Sequence, residues 1–225
     1  MQVSLRAQKY IASLRRDPNY TASAEEHADY LIKIGLPVFI RVVEIGAKYG
    51  GLTLTIAKDQ DNSFEADLFP RQHMLYGKPA DEMVIDGFTW FFFGTHATAQ
   101  YWYVLSETGV LAVYNNDTEK TCPIYTSFEK MIEGYAIEDE LRKPLFNAYK
   151  AQSFGKGPNK SEIEKKWKTC KTFPEACDTY NSWYQMDSVL IQTGRVYDSD
   201  DYWTRVFSKK ESDCQQILEE LKAMS

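Results

Sequence analysis

The chain has 225 residues, of which 44% are apolar and 14% aromatic, enough for a packed core and too many for a disordered chain. Residues 76–141 carry three basic and eleven acidic side chains, whereas residues 1–75 carry nine of each and residues 142–225 carry fourteen basic and twelve acidic. The net charge of −6 therefore arises in the middle third. This argues against direct nucleic-acid binding by that segment, because phosphates are bound by Lys and Arg.

Helices are predicted over the first 50 residues. The apolar spacing in residues 3–16 indicates a short amphipathic helix. A second helix begins at Thr21 or Ser23, where Ser23 and Glu26 have the spacing of a capping box, and it ends at Gly35.

A third helix is predicted from Leu36-Pro37 to Tyr49 and is apolar around most of its circumference, so we expect it to be among the most buried. Gly50 is expected to end it in the left-handed conformation, and Gly51 to let the strand LTLTI leave in a new direction. The same two glycines are expected to have a mechanical role and not to bind phosphate.

Strands dominate the middle of the chain. The aromatic run Asp81–Gly94 indicates one continuous strand that is buried on both faces. Gln100–Asp117 indicates two strands joined at Glu107-Thr108-Gly109. Ser127 is expected to cap an amphipathic helix that follows. The predicted sheet is centred on Thr89–Phe93 and Trp102–Leu105.

The character of the sequence changes beyond about Arg142. Gly155–Lys160 is the one plausible linker, and it precedes a basic helix. A closing helix follows an aromatic and acidic stretch, with Ser212 as its expected cap. The predicted class is α+β, a mostly antiparallel sheet flanked by helices in residues 1–141. A C-terminal helical and aromatic extension, residues 142–225, is expected to pack on the same domain.

Three motifs resemble the SUKH superfamily, which includes fungal cell-wall-synthesis regulators and bacterial immunity proteins that neutralise polymorphic toxins. LPVFIRVVEIGAKYGG resembles the family's Leu-Pro helix, YWYVLSETGVLAVYNND its glycine hairpin, and TSFEKMIEGY its Ser-Phe-Glu helix. The resemblance covers roughly residues 20–140, with a slightly longer Leu-Pro to Gly-Gly spacing, and the last 85 residues have no counterpart. It implies a non-enzymatic immunity or binding protein, or a regulatory scaffold.

No catalytic motif is evident. The histidines are His27, His73 and His96, and there is no HExxH, GxSxG or glycine-rich phosphate loop. His96 follows a buried strand, which leaves open a small enzyme that uses it with a nearby carboxylate. The stretch Tyr197–Trp203 lacks the glycine and terminal glutamate of a calcium loop. We therefore expect no catalytic residue, no metal and no cofactor.

The four cysteines, Cys122, Cys170, Cys177 and Cys214, lack zinc-ligand spacing, and we expect them to be reduced and mostly buried. No apolar run is long enough for a membrane span, and the N-terminus lacks the apolar segment of a signal peptide. These features predict a cytoplasmic protein that contacts neither membrane nor nucleic acid, as a monomer or a weak dimer.

The expected partner is a protein, a basic toxin domain such as a nuclease, which the chain would neutralise by contact alone. Clustered acids would attract such a partner, and exposed aromatics are common interface anchors. The alternatives are that the acids only keep the protein soluble and that the aromatics only cover the core. The candidate partner-binding residues are Asp86, Glu107, Tyr114, Asp117, Glu119, Tyr197, Tyr202 and Trp203.

Overall fold

The computed structural model describes residues 2–18, 23–33, 35–58, 63–67, 82–85, 88–95, 100–142, 149–156, 160–197 and 199–224. The chain divides into two compact units. One is Ser13–Pro123, and the other combines Met1–Ala12 with Ile124–Ser225; we call them the central unit and the terminal unit. The sequence placed a boundary near residue 141 because the family resemblance ends there, and the extent of a family-like domain stays a prediction.

The α+β class is confirmed, with antiparallel strand pairing and separate helices. The described helices are α1 (Leu5–Ser13), α2 (Ala24–Lys33), α3 (Ile40–Tyr49), α4 (Phe128–Ile137), α5 (Lys160–Lys166) and α6 (Glu211–Lys222), with a π-helical turn at Glu138–Arg142. None of them is long and apolar enough to cross a membrane.

The described strands form three sheets. A two-stranded sheet pairs β1 (Thr53–Lys58) with β2 (Ser63–Asp67). A five-stranded sheet, in chain order, contains β3 (Glu82–Ile85), β4 (Phe88–Thr95), β5 (Tyr101–Ser106), β6 (Leu111–Asn115) and β7 (Lys120–Tyr125). A second five-stranded sheet has the order β8-β12-β11-β10-β9, with β8 (Tyr149–Gly155), β9 (Lys171–Thr172), β10 (Asn181–Met186), β11 (Val189–Arg195) and β12 (Tyr202–Ser208).

In the central unit, α2 and α3 pack on β4. Phe91 lies in one apolar cluster with Leu31, Val42 and Val43, and its ring centroid is 4.8 Å from that of Phe39. Helix α3 begins at Ile40 and not at Leu36, because residues 36–39 precede the helix and Phe39, with an extended backbone, packs against Phe91. The expected burial of α3 is confirmed on the face that carries Val42 and Ile45.

The expected role of the Gly50-Gly51 pair is wrong in detail. Gly50 has φ −58°, which any residue adopts, and its N–H donates to Gly46 O. Gly51 has φ +73°, the left-handed conformation in which a β-carbon is disfavoured. The helix therefore ends at Tyr49 as predicted, but the change of direction into β1 is made at Gly51.

Local sequence signals were confirmed at three other places. Ser23 Oγ accepts from the Glu26 N–H at 3.2 Å, while Glu26 accepts from the Ser23 N–H. Ser127 Oγ accepts from the Lys130 N–H at 3.3 Å. Gly109, at φ +86°, lies in the turn between β5 and β6.

Two element predictions were wrong. Asp81–Gly94 contains two antiparallel strands, β3 and β4, in which Glu82 pairs with Phe91. The Asp-Gly sequence between them is a frequent two-residue hairpin signal that the aromatic run concealed. Ser212 lies inside α6, and the capping residue is Lys210, whose N–H donates to Ser208 Oγ.

In the terminal unit, helices cover both faces of the second sheet. One face packs Tyr184, Ile191 and Val206 against α5 and α6. The other packs Trp183, Leu190 and Phe207 against Ile137 of α4, together with Phe173 and Ala176. The sequence indicated helices and aromatics here, but not the five strands. The positions of β8–β12 decide which of the candidate residues share a face.

The N-terminal helix belongs to this unit. The Ser4 N–H and hydroxyl donate to the two carboxylate oxygens of buried Glu133, at 2.5 and 2.6 Å. Arg6 pairs with Glu140 and, at 3.0 Å, with Glu175. These contacts join α1 to α4 and to the segment before β10, so the first and last parts of the chain form one unit.

Candidate protein-binding surface

The acidic candidates of the central unit lie at opposite ends of β6. Glu107 is exposed in the turn before this strand, whereas Asp117 and Glu119 are exposed in the turn after it. A strand rises about 3.4 Å per residue, so β6 alone separates the two turns by about 14 Å. This exceeds the screening length of about 8 Å at physiological salt. The three acids therefore do not act as one charge cluster, and Asp86 lies outside the described residues.

Tyr114 is half-buried and takes part in packing. It lies against the cluster of Trp90, Val104 and Ala112, with its ring centroid 5.9 Å from that of Trp102. The turn that carries Glu107 is also packed against a helix, because the side chain of Arg41 lies over Gly109. Of the central candidates, Asp117 and Glu119 are the pair that share one exposed turn.

The aromatic candidates of the terminal unit converge on one end of its sheet. Trp203 of β12 is paired in register with Gly194 of β11 on one side and with Phe154 of β8 on the other. A β-carbon on Gly194 would stand 2.1 Å from Trp203 Cζ2, so the indole occupies the space directly over Gly194. Phe154 is 69% exposed although it is a large apolar residue. We call Phe154, Trp203 and Gly194 the aromatic row.

Tyr202 lies on the opposite face, because successive side chains of a strand alternate. It is paired in register with Arg195, and its hydroxyl donates to Thr179 O at 3.4 Å. Arg195 donates to Asp200 at 3.0 Å and lies 5.8 Å from the ring of Tyr180. Tyr202 and Arg195 therefore fix the turn between β11 and β12.

The same turn presents negative charge beside the aromatic row. Asp200 and Asp201 are exposed in it, and the Val196 N–H closes it by donating to Asp201 O at 2.9 Å. Tyr197 is half-buried and interacts electrostatically with Arg205. Asp198 lies outside the described residues. Aromatic and acidic groups thus occupy the same end of the sheet.

Arg205, on the same strand as Trp203, lies against the indole at this end of the sheet. Its guanidinium carbon lies 4.4 Å from the ring centroid of Trp203, a cation–π distance. Burial lowers the pKa of Arg205, and Tyr135, Tyr197 and Tyr125 raise it by smaller amounts. The described chain places no carboxylate in an ion pair with this arginine.

The remaining chemically interesting groups lie elsewhere. His27 is buried between α2 and α3, where burial lowers its pKa, while His73 and His96 lie outside the described residues. Within the described chain no group of three His, Cys, Asp or Glu side chains could hold a metal ion. The cysteines are free, with Cys122 and Cys214 buried and the other two half-buried. Burial raises the pKa of the Cys170 and Cys177 thiols.

Sequence reasoning missed Phe154, Gly194 and Arg205. They become neighbours because β12 pairs with both β8 and β11. Phe154 of β8 precedes the other two residues by about 40 positions or more in the sequence. The alternation in Tyr202–Ser208 could have indicated that Trp203 and Arg205 share a face. The partner strands could not be read from that pattern.

Comparison of the chain with protein-family models, curated proteins and solved structures finds no match. The SUKH resemblance therefore depends on the three sequence motifs alone.

Proposed function

We propose that this chain is a binding protein without a catalytic role, which neutralises a basic toxin domain by direct contact, as the resemblance to immunity proteins suggests. The observation that carries the proposal is the aromatic row with its neighbouring acids. An exposed phenylalanine beside a half-buried tryptophan gives apolar contact area at low conformational cost. A regulatory scaffold of the same superfamily would use such a surface too.

The position of the row suits protein contact. Phe154 is carried by β8, which is an edge strand of its sheet. Trp203 is held by Gly194 beneath it and by Arg205 beside it, so little side-chain freedom would be lost on binding. The exposed Asp201 would attract a positively charged partner to this end of the sheet, whereas the charge of Asp200 is offset by its ion pair with Arg195. A nuclease that must itself hold phosphates has that charge.

Neutralisation is tested by searching the genes beside this one for a toxin-like product and co-expressing that product with the chain. We expect the wild-type chain to restore growth and Phe154→Ser to lose protection. Ile40→Ser is the matched control, because Ile40 is 72% exposed and belongs to the central unit, whereas the aromatic row belongs to the terminal unit. Loss of protection with both variants, or with neither, would contradict the proposed surface. A lack of protection by the wild-type chain would contradict the proposed function.

The charge of the partner is tested by reversal at two turns. Asp200→Lys with Asp201→Lys should slow association at low salt and have less effect at high salt. Asp117→Lys with Glu119→Lys, which reverses the same charge in the central unit, serves as the comparison. Association rates that both pairs leave unchanged would show that these acids are only a solvated surface.

A further inference from the structure

A second row of side chains crosses the same sheet beside the aromatic row. Arg205 of β12 is paired in register with Gln152 of β8 and with Gln192 of β11, and Gln192 is paired with Trp183 of β10. We call Gln152, Arg205, Gln192 and Trp183 the polar row. Exposure decreases along it, from exposed Gln152 through half-buried Arg205 to buried Gln192 and Trp183.

Three neighbouring atoms of the polar row have no hydrogen-bond partner within the described part of the chain. They are Arg205 Nε, Gln192 Oε1 and Trp183 Nε1, and each is buried. Neighbouring strands are about 4.8 Å apart, so Arg205 and Gln192 lie within the reach of one small molecule, and Trp183 lies one strand farther along the row. A buried polar group without a partner costs free energy, and a cluster of them in one place requires an explanation.

The surroundings of Arg205 are aromatic and carry no free carboxylate in the described residues. Tyr125, Tyr135 and Tyr197 act on it electrostatically, and Trp203 lies against its guanidinium. Asp178, which acts on Tyr125, is already engaged, because it accepts from the N–H groups of Thr126, Tyr180 and Asn181 at 2.7–2.8 Å. Among the described residues, no ion pair therefore balances the positive charge of Arg205.

We infer that the polar row is a binding site for a small carboxylate that carries a hydroxyl or amino group beside the carboxylate. Guanidinium N–H groups match the two oxygens of a carboxylate. The adjacent hydroxyl or amino group would donate to Gln192 Oε1, which accepts only. The molecule would enter from the side of exposed Gln152, and the aromatic side chains would surround its apolar part.

This site is independent of the proposed toxin contact, because a small carboxylate requires no protein partner. The probes are lactate, propionate, which lacks the hydroxyl, and lactamide, which lacks the charge. The readout is the indole N–H resonance of Trp183, assigned with Trp183→Phe. We expect lactate to shift it saturably, with a dissociation constant about tenfold below that of propionate, since one hydrogen bond is added. Lactamide should cause no saturable shift.

Single substitutions test the separate roles of Arg205 and Gln192 in binding. Arg205→Met should abolish binding of lactate and propionate, whereas Gln192→Leu should remove the preference for lactate and keep binding of both. Arg195→Met removes the arginine that pairs with Asp200 on the opposite face, and it should bind lactate like the wild type. Thermal unfolding of Arg205→Met adds a second measurement. A midpoint equal to or above that of the wild type supports a ligand site, because the arginine is half-buried and has no ion pair among the described residues.

The inference would be overturned by equal responses to the three probes, by lactate binding that survives Arg205→Met, or by the absence of a saturable shift up to the solubility of lactate. A large fall in the unfolding midpoint of Arg205→Met would also count against it, because that result assigns the arginine a structural role. Failure of the co-expression assay would leave these outcomes unaffected.

Discussion

A β-carbon on Gly46 would stand 2.7 Å from Cε1 of His27, so α2 and α3 approach each other at a position where a methyl group would require the imidazole to move. His27 is buried at this crossing, and the backbone of Gly46 forms a hydrogen bond with its ring. The pair thus combines close helix packing with a titratable group. Both properties have measurable consequences.

Gly46→Ala is expected to destabilise the chain by about 1–3 kcal/mol, the usual cost of inserting a methyl group into a packed site. The better helix propensity of alanine offsets about 1 kcal/mol or less of this cost. Urea unfolding measures the change. Adding His27→Ala should make the methyl group tolerable, so the two substitutions should be strongly non-additive. Additive effects would show that the imidazole is not what the methyl group meets.

The stability of the chain is expected to fall as the pH drops below about 6.5, the pKa of an unperturbed histidine. Burial lowers the pKa of His27 in the folded chain. The unfolded chain therefore takes up a proton at a higher pH than the folded one, and acid favours unfolding until the folded pKa is also passed. Unfolding midpoints of the wild type and His27→Gln between pH 7.5 and 5 test this. The wild type should lose more stability over that interval, and parallel pH profiles would exclude the contribution of His27.

Gly194→Ala is expected to destabilise the terminal unit by about 1–3 kcal/mol or to displace Trp203, because no space exists for the added carbon. Tryptophan fluorescence together with urea unfolding reports both results. Gly134→Ala is the matched control, since its β-carbon would meet Trp183 Nε1 at an ordinary 3.4 Å and alanine favours the helix. Equal effects of the two substitutions would contradict the position of the Trp203 indole.

Gly51→Ala is expected to cost about 1 kcal/mol or more through its left-handed backbone. The same substitution at Gly50, where φ is −58°, lacks this backbone cost. Comparing the free energies of unfolding of the two variants tests which glycine makes the turn. A larger cost at Gly50 than at Gly51 would contradict the structure and restore the expectation from the sequence.

Local features of the fold could be predicted from the sequence. The capping box at Ser23, the N-cap at Ser127 and the hairpin turn at Gly109 each depend on a few neighbouring residues, and all three were confirmed. Two adjacent glycines carry no signal that tells which will have positive φ, so the left-handed residue was misplaced. The aromatic run of β4 concealed the end of β3 because every side chain in it suits a strand.

The candidate surface was harder to predict. Tyr202 and Trp203 are neighbours in sequence but lie on opposite faces, so only Trp203 belongs to the aromatic row. Phe154 and Gly194 join it through long-range register, which a single sequence does not specify. Glu107 was grouped with Asp117 and Glu119 by charge alone, although β6 separates them. The sequence shows where the charges lie along the chain, but it does not show which of them are neighbours on the folded surface.

The most direct test of the proposed binding function is calorimetric titration of the purified toxin-like partner with the wild-type chain, Phe154→Ser and Ile40→Ser. Truncating an aromatic anchor at an interface commonly costs 1–2 kcal/mol or more, which corresponds to a roughly tenfold weaker dissociation constant. We predict a loss of at least about tenfold for Phe154→Ser and wild-type affinity for Ile40→Ser. Equal affinity of all three proteins would contradict binding through the aromatic row.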